Sequence, residues 1–279
     1  MNKIKSFDSS HKLLYLIATP IGNLGEFSPR ALEIIQEMDY IAAEDTRNSR
    51  DLLAKFNISK PFISLREHNE IEASEKVIED ILNGKKVAYM SDAGYPGISD
   101  PGNILVKIAN ENNVAVSVIS GASAFINALV SSNLDTNHFY FHGFLPAKKV
   151  DAVKELEETK DKKETLIFYE SPHRIEDTLK TLFEVLGDRK IVLHRELTKL
   201  NEEKIYGTIS ELLTLDFNQI KGEIVLVVEG NKVEEVIHKD EIINFVNLLT
   251  QKGLSQKDAI EVASTTLKVK KNYIKDLFM

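Results

Sequence analysis

In "VAYMSDAGYPGISDPG", residues 87–102, an apolar run passes directly into a loop that is rich in glycine and proline. The loop from Ser91 to Gly102 holds five Gly or Pro residues and two Asp residues in twelve positions. The run Val87–Met90 has the length and composition of a buried strand. Because glycine-rich loops are typical of places where backbone approaches a ligand, we predict a ligand site at the end of this strand.

The same alternation of apolar runs and amphipathic stretches continues on both sides of this loop. Ser28-Pro29 is a good helix start, Asp100-Pro101 repeats that signal, and the helical stretch Glu70–Leu82 stops at Asn83-Gly84. Strands that alternate with helices predict an α/β fold with a sheet rich in parallel pairs. The other predicted strands of this first part are 13–18, 41–43, 62–65 and 114–119.

The alternation of strands and helices is interrupted near "GFLPAKK", residues 143–149. We interpret this segment as a linker that follows a strand at 139–141. We therefore predict a first α/β domain over 1–142, a second over 143–230 and a small helical domain over 231–279. In the second domain the predicted strands 165–169, 190–195, 203–208 and 223–229 are closely spaced, which favours a mixed or antiparallel sheet. The last forty residues predict three short helices of helix-turn-helix type. Their predicted core is Ile260, Val262, Ala263, Leu267, Tyr273 and Ile274.

The amino-acid composition excludes several kinds of functional site. The 279 residues include no cysteine, which excludes disulfides, thiolate metal sites and a cysteine nucleophile. No His/Asp/Glu spacing suggests a catalytic metal, and no apolar run is long enough for a membrane span. The N-terminus has no apolar signal region, so we expect a cytoplasmic protein.

The net charge of -8 argues against a general nucleic-acid binder and requires any such contact to use a local basic patch. The cleanest patch lies in the tail, where residues 268–275 contain no acid. We predict that these lysines bind RNA phosphate, and the alternative is a helical cap that stabilises the protein or supports a dimer. The lysines are Lys268, Lys270, Lys271 and Lys275.

Four loops follow predicted strands of the first domain, at "TPIGNLGEFS", "EDTRNSR", "SDAGYPGISD" and "SGAS". The carboxyl edge of an open α/β sheet is where ligands bind, so these loops predict one composite pocket. Neither G-x-G-x-x-G nor G-x-x-x-x-G-K-[ST] occurs, which disfavours a phosphate cradle. Acidic loops suit a neutral or cationic ligand.

Seven motifs follow one another along the chain: "LYLIATPIGNLGEFSPRALE", "AAEDTRNSRDLL", "HNE", "SDAGYPGISDPG", "GFLPAKK", "LIFYESPHRI", and "RELTK" with "GEIVLVVEG". In this order they resemble the motifs of the 16S ribosomal RNA cytidine 2′-O-methyltransferases, a branch of the tetrapyrrole methylase superfamily. The resemblance runs from about Leu13 to Gly230, and the tail is similar to the small C-terminal domain of that branch. Two departures change the pocket wall: Tyr95 replaces a small hydroxyl residue, and "SGASA" replaces a Pro-Gly start.

The resemblance implies a tetrapyrrole-methylase-like fold with S-adenosylmethionine in the cleft between two α/β domains. Members of the superfamily hold this cofactor with backbone groups and apolar walls, which agrees with a glycine-rich loop that lacks phosphate motifs. Phe168 and Tyr169 would close the pocket from the second domain, and Asp92 would steer the cofactor or instead bond its own turn. The other implied cofactor-binding residues are Pro20, Tyr95, Pro96, Gly97, Ile98, Ser123 and Ala124.

Methyl transfer from a sulfonium is an in-line displacement, so the enzyme mainly aligns the hydroxyl and excludes water. A ribose hydroxyl is weakly acidic, and a nearby base or cation should help it to attack. Our catalytic candidates are Glu170 as a base, Arg174 as a phosphate clamp and Arg47 as a group that orients the hydroxyl or grips phosphate. The alternative for Glu170 and Arg174 is a helix cap in the second domain. The alternative for Arg47 is a solvated side chain beside a helix cap formed by Asp45 or Thr46.

Our leading hypothesis is 2′-O-methylation of a cytidine in 16S rRNA, within an assembled small subunit because the chain is acidic. The resemblance also implies a homodimer. Two alternatives stay open: a methylase of a tetrapyrrole or other small molecule, and a helix-turn-helix regulator with a ligand-sensing α/β body.

Overall fold

The structure is a computed structural model that describes residues 12–232, 239–267 and 269–278. The chain divides into two compact units, Met1–Asn231 and Lys232–Met279. Within the described ranges, no helix has both the length and the apolar character needed to cross a membrane.

The first sheet has five strands in the order β3-β2-β4-β1-β5, and every pair in it is parallel. This confirms the prediction of a parallel sheet in the first part of the chain. All four residues of the central strand β4 are buried, because β2 and β1 flank it and helices cover both faces. The strands are β1 (Leu13–Ile17), β2 (Tyr40–Ala43), β3 (Phe62–Ser64), β4 (Val87–Met90) and β5 (Ala115–Ile119).

Helices follow these strands as the pattern predicted. Ser28 caps the first helix by accepting a hydrogen bond from the N–H of Ala31, with Pro29 at the first helical position. The helices are α1 (Pro29–Glu37), α2 (Thr46–Ala54), α3 (Glu70–Leu82), α4 (Asn103–Glu111) and α5 (Ala124–Val130).

The predicted cap of α4 at Asp100-Pro101 is wrong. The helix begins at Asn103, and Gly102 occupies the N-cap position with a φ of 138° that a side chain would disfavour. Its first N–H groups are satisfied from another element, because one carboxylate oxygen of Glu70 accepts hydrogen bonds from Gly102 and Ile104. Asp100 therefore does not cap α4.

The second sheet has the order β6-β7-β10-β8-β9. Only β6 and β7 pair in parallel, and the other three pairs are antiparallel, which confirms the prediction of a mixed sheet. The strands are β6 (Phe139–Phe144), β7 (Thr165–Glu170), β8 (Lys190–Arg195), β9 (Glu203–Thr208) and β10 (Ile224–Val228). The helices α6 (Lys149–Glu157), α7 (Ile175–Leu186) and α8 (Ile209–Leu212) accompany this sheet.

The predicted boundary between residues 142 and 143 falls inside β6 and needs correction. Residues 139–144 form one strand whose partner is β7, so β6 belongs to the second sheet. A register shift between Phe141 and Gly143 marks a bulge, and the glycine there has a φ of 85°. The linker character of "GFLPAKK" hid the last residues of the predicted strand, and only the pairing with β7 shows that this strand belongs to the second sheet.

The unit from Lys232 to Met279 contains three helices within its described residues: α9 (Lys239–Gln251), α10 (Gln256–Thr266) and α11 (Lys271–Asp276). Ser255 caps α10 by accepting a hydrogen bond from the N–H of Asp258. The buried core contains Ile260, Ala263 and Ile274 as predicted, together with Ile242, Val246 and Ala259. The prediction was wrong for Val262 and Tyr273, which are 38% and 42% exposed because they lie on the outer faces of their helices.

Candidate active site

A cavity of about 300 Å³ lies between the two sheets of the first unit. The loop after β4 and the start of α5 form one wall, and the end of β7 with the start of β10 forms the other. The side chains of Ile21 and Phe144 complete the lining. The remaining lining residues are Ala93, Gly94, Tyr95, Ile98, Ser99, Asp100, Ser123, Ala124, Tyr169, Glu170, Ser171, Pro172, Gly222, Glu223, Ile224 and Val225.

Backbone pairing holds the loop after β4 against the end of β1. The N–H of Thr19 donates to the carbonyl of Gly94 at 2.9 Å, and the N–H of Gly94 donates back at 3.1 Å. The hydroxyl of Ser91 also donates to the carbonyl of Gly94, and the hydroxyl of Thr19 donates to the carbonyl of Ser91. The glycine-rich loop is therefore a fixed wall of the cavity.

The two sequence departures from the methyltransferase pattern contact each other. The hydroxyl oxygen of Tyr95 accepts a hydrogen bond from the N–H of Gly121 at 3.2 Å. Tyr95 thus joins the loop after β4 to the loop after β5, and its ring lines the cavity. A Cβ at position 121 would lie 2.9 Å from the carbonyl oxygen of Ala18, so this turn requires glycine.

Asp100 is the residue that sequence reasoning assigned to the wrong role. It lines the cavity and is half-buried. Desolvation, strengthened by the negative charges of Glu44 and Asp92, raises the pKa of Asp100 to about 7. Its position in the glycine-rich loop could have indicated a role at the ligand site, but Asp100 with the following proline also matched the start of a helix.

The cavity does not include Asp92 or Arg47. One oxygen of Asp92 accepts from the N–H of Asp45 at 3.0 Å, and the other accepts from the side-chain amide of Asn48 at 2.8 Å. Arg47 has a side chain that is 78% exposed and pairs with Asp45, the N-cap of α2. Arg47 is thus solvated beside the Asp45 cap, as its alternative describes. Asp92 bonds the start of α2 rather than its own turn, and the roles of both residues at the ligand stay predictions.

Glu170 and Arg174 lie at the junction between β7 and α7, where protein groups occupy both side chains. The two carboxylate oxygens of Glu170 accept hydrogen bonds from the N–H of Ser171 and the hydroxyl of Thr178. The guanidinium of Arg174 donates to the carbonyls of Leu145 and Pro146, both at 2.9 Å. Glu170 borders the cavity with both carboxylate oxygens hydrogen-bonded, and Arg174 donates to backbone carbonyls. These contacts favour the structural alternative for both residues, and their catalytic roles stay predictions.

Tyr169 and Phe168 point to opposite faces of β7, as the period of a strand requires. Tyr169 lines the cavity, and its ring meets that of Phe144 edge-on at 5.5 Å between centroids. Phe168 is fully buried in the core on the other face, where its ring packs against His142. The prediction that Phe168 closes the pocket is therefore corrected.

The structure brings together five of the ten cofactor-binding candidates. Tyr95, Ile98, Ser123, Ala124 and Tyr169 line the cavity. The others support the wall without being part of its surface: besides Asp92 and Phe168 they are Pro20, Pro96 and Gly97. Gly97 has a φ of 81°, and its N–H donates to the carbonyl of Pro101, which closes the loop that carries Asp100.

The tail lysines have different surroundings. Lys271 forms an ion pair at 2.7 Å with Glu261, an acid of α10 that lies outside the 268–275 segment. Lys270 and Lys275 are exposed. Lys268 lies outside the described residues.

Sequence comparison places this geometry among known proteins. The profile of the family described as Tetrapyrrole (Corrin/Porphyrin) Methylases matches residues 13–213. A protein of Bacillus subtilis (strain 168) named "Ribosomal RNA small subunit methyltransferase I" is 42% identical over 273 residues, which cover 95% of this chain and 94% of that protein. A protein of the same name from Haemophilus influenzae is 43% identical over 268 residues, covering 93% and 94%.

Solved structures show the same fold at low identity. Diphthine synthase aligns with a TM-score of 0.60 and 17% identity, over 78% of this chain and 89% of that chain. Cobalt precorrin-4 methyltransferase, a cobalamin biosynthetic enzyme, aligns with a TM-score of 0.55 and 17% identity, over 79% and 95%. The resemblance that the seven motifs indicated is confirmed. With a matching profile over most of its length and relatives above 40% identity, the chain belongs to the tetrapyrrole methylase family of methyltransferases.

Proposed function

We propose that this protein transfers the methyl group of S-adenosylmethionine to the ribose 2′-oxygen of a cytidine in small-subunit (16S) ribosomal RNA. The relatives that match nearly the whole chain are named as small-subunit rRNA methyltransferases, and this supports rRNA as the methyl acceptor. The ribose position and the cytidine are the finer part of the proposal, and they rest on the motif resemblance.

The observation that carries the proposal is the charge of the cavity lining. Among the residues that the structure describes, the lining contains the acids Asp100, Glu170 and Glu223 beside apolar walls, and no Lys, Arg or His. A polyphosphate ligand would favour cationic side chains, and the lining that the structure describes offers acids instead. A ligand with a positive sulfonium fits both the acidic groups and the apolar surface.

The residues that would hold S-adenosylmethionine are the five cavity-lining candidates, with backbone groups of the loop after β4. When bound, this cofactor supplies an electrophilic methyl group with a good leaving group. The chain then has to align the acceptor hydroxyl and to exclude water from the reacting atoms. Phe144, Tyr169 and Ile98 provide apolar surface at the cavity for this purpose.

We propose that the acceptor RNA contacts the lysine-bearing tail, where the exposed Lys270 and Lys275 offer phosphate contacts. Lys268 is included on sequence grounds alone. We further propose that the protein acts as a homodimer in the cytoplasm, on an assembled small subunit rather than on bare RNA. The division into three domains, with the first boundary moved before Phe139, is part of the same proposal.

The test uses the full chain with S-adenosylmethionine labelled in its methyl group. Small subunits and free 16S rRNA that lack the modification serve as acceptors, and a random RNA of equal length serves as the control. We expect label on the small subunit, and digestion to nucleosides should give 2′-O-methylcytidine. Equal labelling of random RNA, or label on a base, would contradict the proposal. RNA labelling that survives removal of residues 231–279 would contradict the proposed contact between the RNA and the lysine-bearing tail.

A further inference from the structure

Asp100 lines the cavity on a segment with an unusual backbone conformation. Ser99, directly before it, has a φ of 61°, which non-glycine residues rarely adopt. Strain of this kind persists only where neighbouring contacts impose it. Here the N–H of Gly97 binds the carbonyl of Pro101, and Glu70 holds Gly102.

This segment also reaches the second sheet. A Cβ built at Gly143 would lie 3.3 Å from the hydroxyl oxygen of Ser99, so the loop after β4 packs closely on the bulge of β6. Asp100 therefore lies in the cavity where groups from both sheets meet. A residue in this place is able to contact a ligand held by either wall.

Within the described part of the chain, the Asp100 side chain has no hydrogen-bond donor and no ion-pair partner. Among the described residues, the titratable groups that interact electrostatically with it are acidic or phenolic. Glu44 and Asp92 act on it from the ends of β2 and β4, and Tyr89 and Tyr169 lie within its electrostatic reach. Glu170 and Glu223 line the same cavity.

The lack of hydrogen-bond donors distinguishes Asp100 from the neighbouring carboxylates. Glu170 and Asp92 have both oxygens occupied by donors, whereas Asp100 has free oxygens in a partly desolvated site. Burial of an unpartnered carboxyl group is unfavourable, and such groups are found where their chemistry is used. A base is most effective when its pKa lies near the working pH, and the pKa of Asp100 is raised to about 7.

We propose that Asp100 is the general base that removes the proton from the attacking ribose hydroxyl. The bond that forms joins the 2′-oxygen to the methyl carbon, and the bond that breaks joins that carbon to sulfur. The sulfur keeps the electron pair of the broken bond, and the proton of the hydroxyl passes to the Asp100 carboxylate. The positive charge of the sulfonium is thereby neutralised, and the neutral carboxyl group later releases its proton to water.

This inference rests on the proposed function, and it assigns Asp100 to the acceptor rather than to the cofactor. If Asp100 instead bound the cofactor, its replacement would weaken cofactor affinity. If it were only structural, its replacement would destabilise the fold. The three roles therefore give three different results for one substitution.

The kinetic test compares wild type with Asp100→Asn, with Asp51→Asn on the exposed surface of α2 as the matched control. We expect the single-turnover methylation rate of Asp100→Asn to fall by about 10²- to 10⁴-fold, while its calorimetric dissociation constant for S-adenosylmethionine changes by less than about threefold. The wild-type rate should rise with pH up to about pH 7. That rise should be absent in Asp100→Asn and present in the control.

The second test needs no activity. A carboxyl group whose folded pKa is raised loses stabilisation as the pH increases through that pKa. Asp100→Asn should therefore have a higher unfolding temperature than wild type at pH 8, and the difference should vanish at pH 4. A rate near that of wild type, a large loss of cofactor affinity, or a lower unfolding temperature at pH 8 would each overturn the assignment. If wild type methylates no RNA, the proposed function fails, and the assignment fails with it.

Discussion

The carboxylate of Glu70 accepts a hydrogen bond from the backbone N–H of Gly102 at 2.8 Å. The same oxygen accepts a second hydrogen bond from the N–H of Ile104 at 3.1 Å. A residue at the start of α3 thus caps α4 and fixes the end of the loop that lines the cavity. Glu70 is only 9% exposed, so these contacts are shielded from water.

Glu70→Ala should lower the free energy of unfolding by about 1–3 kcal/mol, because it leaves two N–H groups at the start of α4 without an acceptor. It should also weaken cofactor binding, because the loop after β4 loses its anchor. Glu70→Gln keeps an acceptor oxygen and should lose less. Urea unfolding of both variants beside the exposed control Glu67→Ala measures the effect. A loss in Glu70→Ala no larger than that of the control would contradict the role of this carboxylate.

Tyr95→Phe should weaken the affinity for S-adenosylmethionine by about fivefold, which corresponds to roughly 1 kcal/mol for one lost hydrogen bond. The physical reason is that the N–H of Gly121 loses its acceptor, so the two loops of the cavity wall separate more easily. Calorimetric titration measures this affinity. Tyr273→Phe in the tail is the control and should bind the cofactor as wild type does. Unchanged affinity in Tyr95→Phe would show that the two loops hold their positions without this contact.

Because of His194, the free energy of unfolding should be lower in mild acid than at neutral pH. Its ring is fully buried, and neither ring nitrogen has a partner within the described residues. Burial, with a smaller effect of the charge on Lys204, lowers the pKa of His194 to about 4 from an ordinary value of 6.5. The unfolded chain therefore binds more protons between pH 6.5 and pH 4, and stability is lost as the pH falls through that window, by about 3 kcal/mol at most.

The measurement is the difference in unfolding temperature between His194→Leu and wild type at each pH. A difference is needed because the titration of Asp100 changes stability in the opposite direction over part of the same pH range, and it affects both proteins equally. We expect this difference to move in favour of the variant as the pH falls from 7 to 4. The exposed His173→Gln serves as the control and should show no such trend. A difference that stays constant with pH would contradict a buried neutral imidazole at position 194.

The double substitution Lys270→Ala and Lys275→Ala should weaken binding to small subunits and reduce its dependence on salt. Each lost phosphate contact should lower the slope of log affinity against log salt by about 0.7 to 0.9. Cofactor affinity should be unchanged. Lys252→Ala with Lys257→Ala removes the same charge from exposed positions elsewhere in the tail and is the control. Equal losses in both double variants would show that net charge matters rather than this patch.

Much of the fold was predictable because strands and helices leave different periods in the sequence. The parallel first sheet and the mixed second sheet followed from the spacing of apolar runs, and the Ser28 and Ser255 caps followed from local chemistry. The strand β6 was assigned to the wrong domain because its pairing with β7 is a contact between distant residues. Phe168 was predicted to line the pocket, but it lies on the face of β7 that covers the core. Which face of a strand covers the core depends on packing between distant segments, which the local sequence does not show.

The sequence by itself determined the order of strands, helices and glycine-rich loops, since each depends on residues close together in the chain. Only the tertiary structure decided which acid of the loop after β4 is free to act. Asp92 and Asp100 are both acids of one loop, yet Asp92 receives donors from α2 and its preceding loop, and Asp100 receives none. Hydrogen bonding and desolvation depend on neighbours that folding supplies from distant segments, so local pattern carries no record of them.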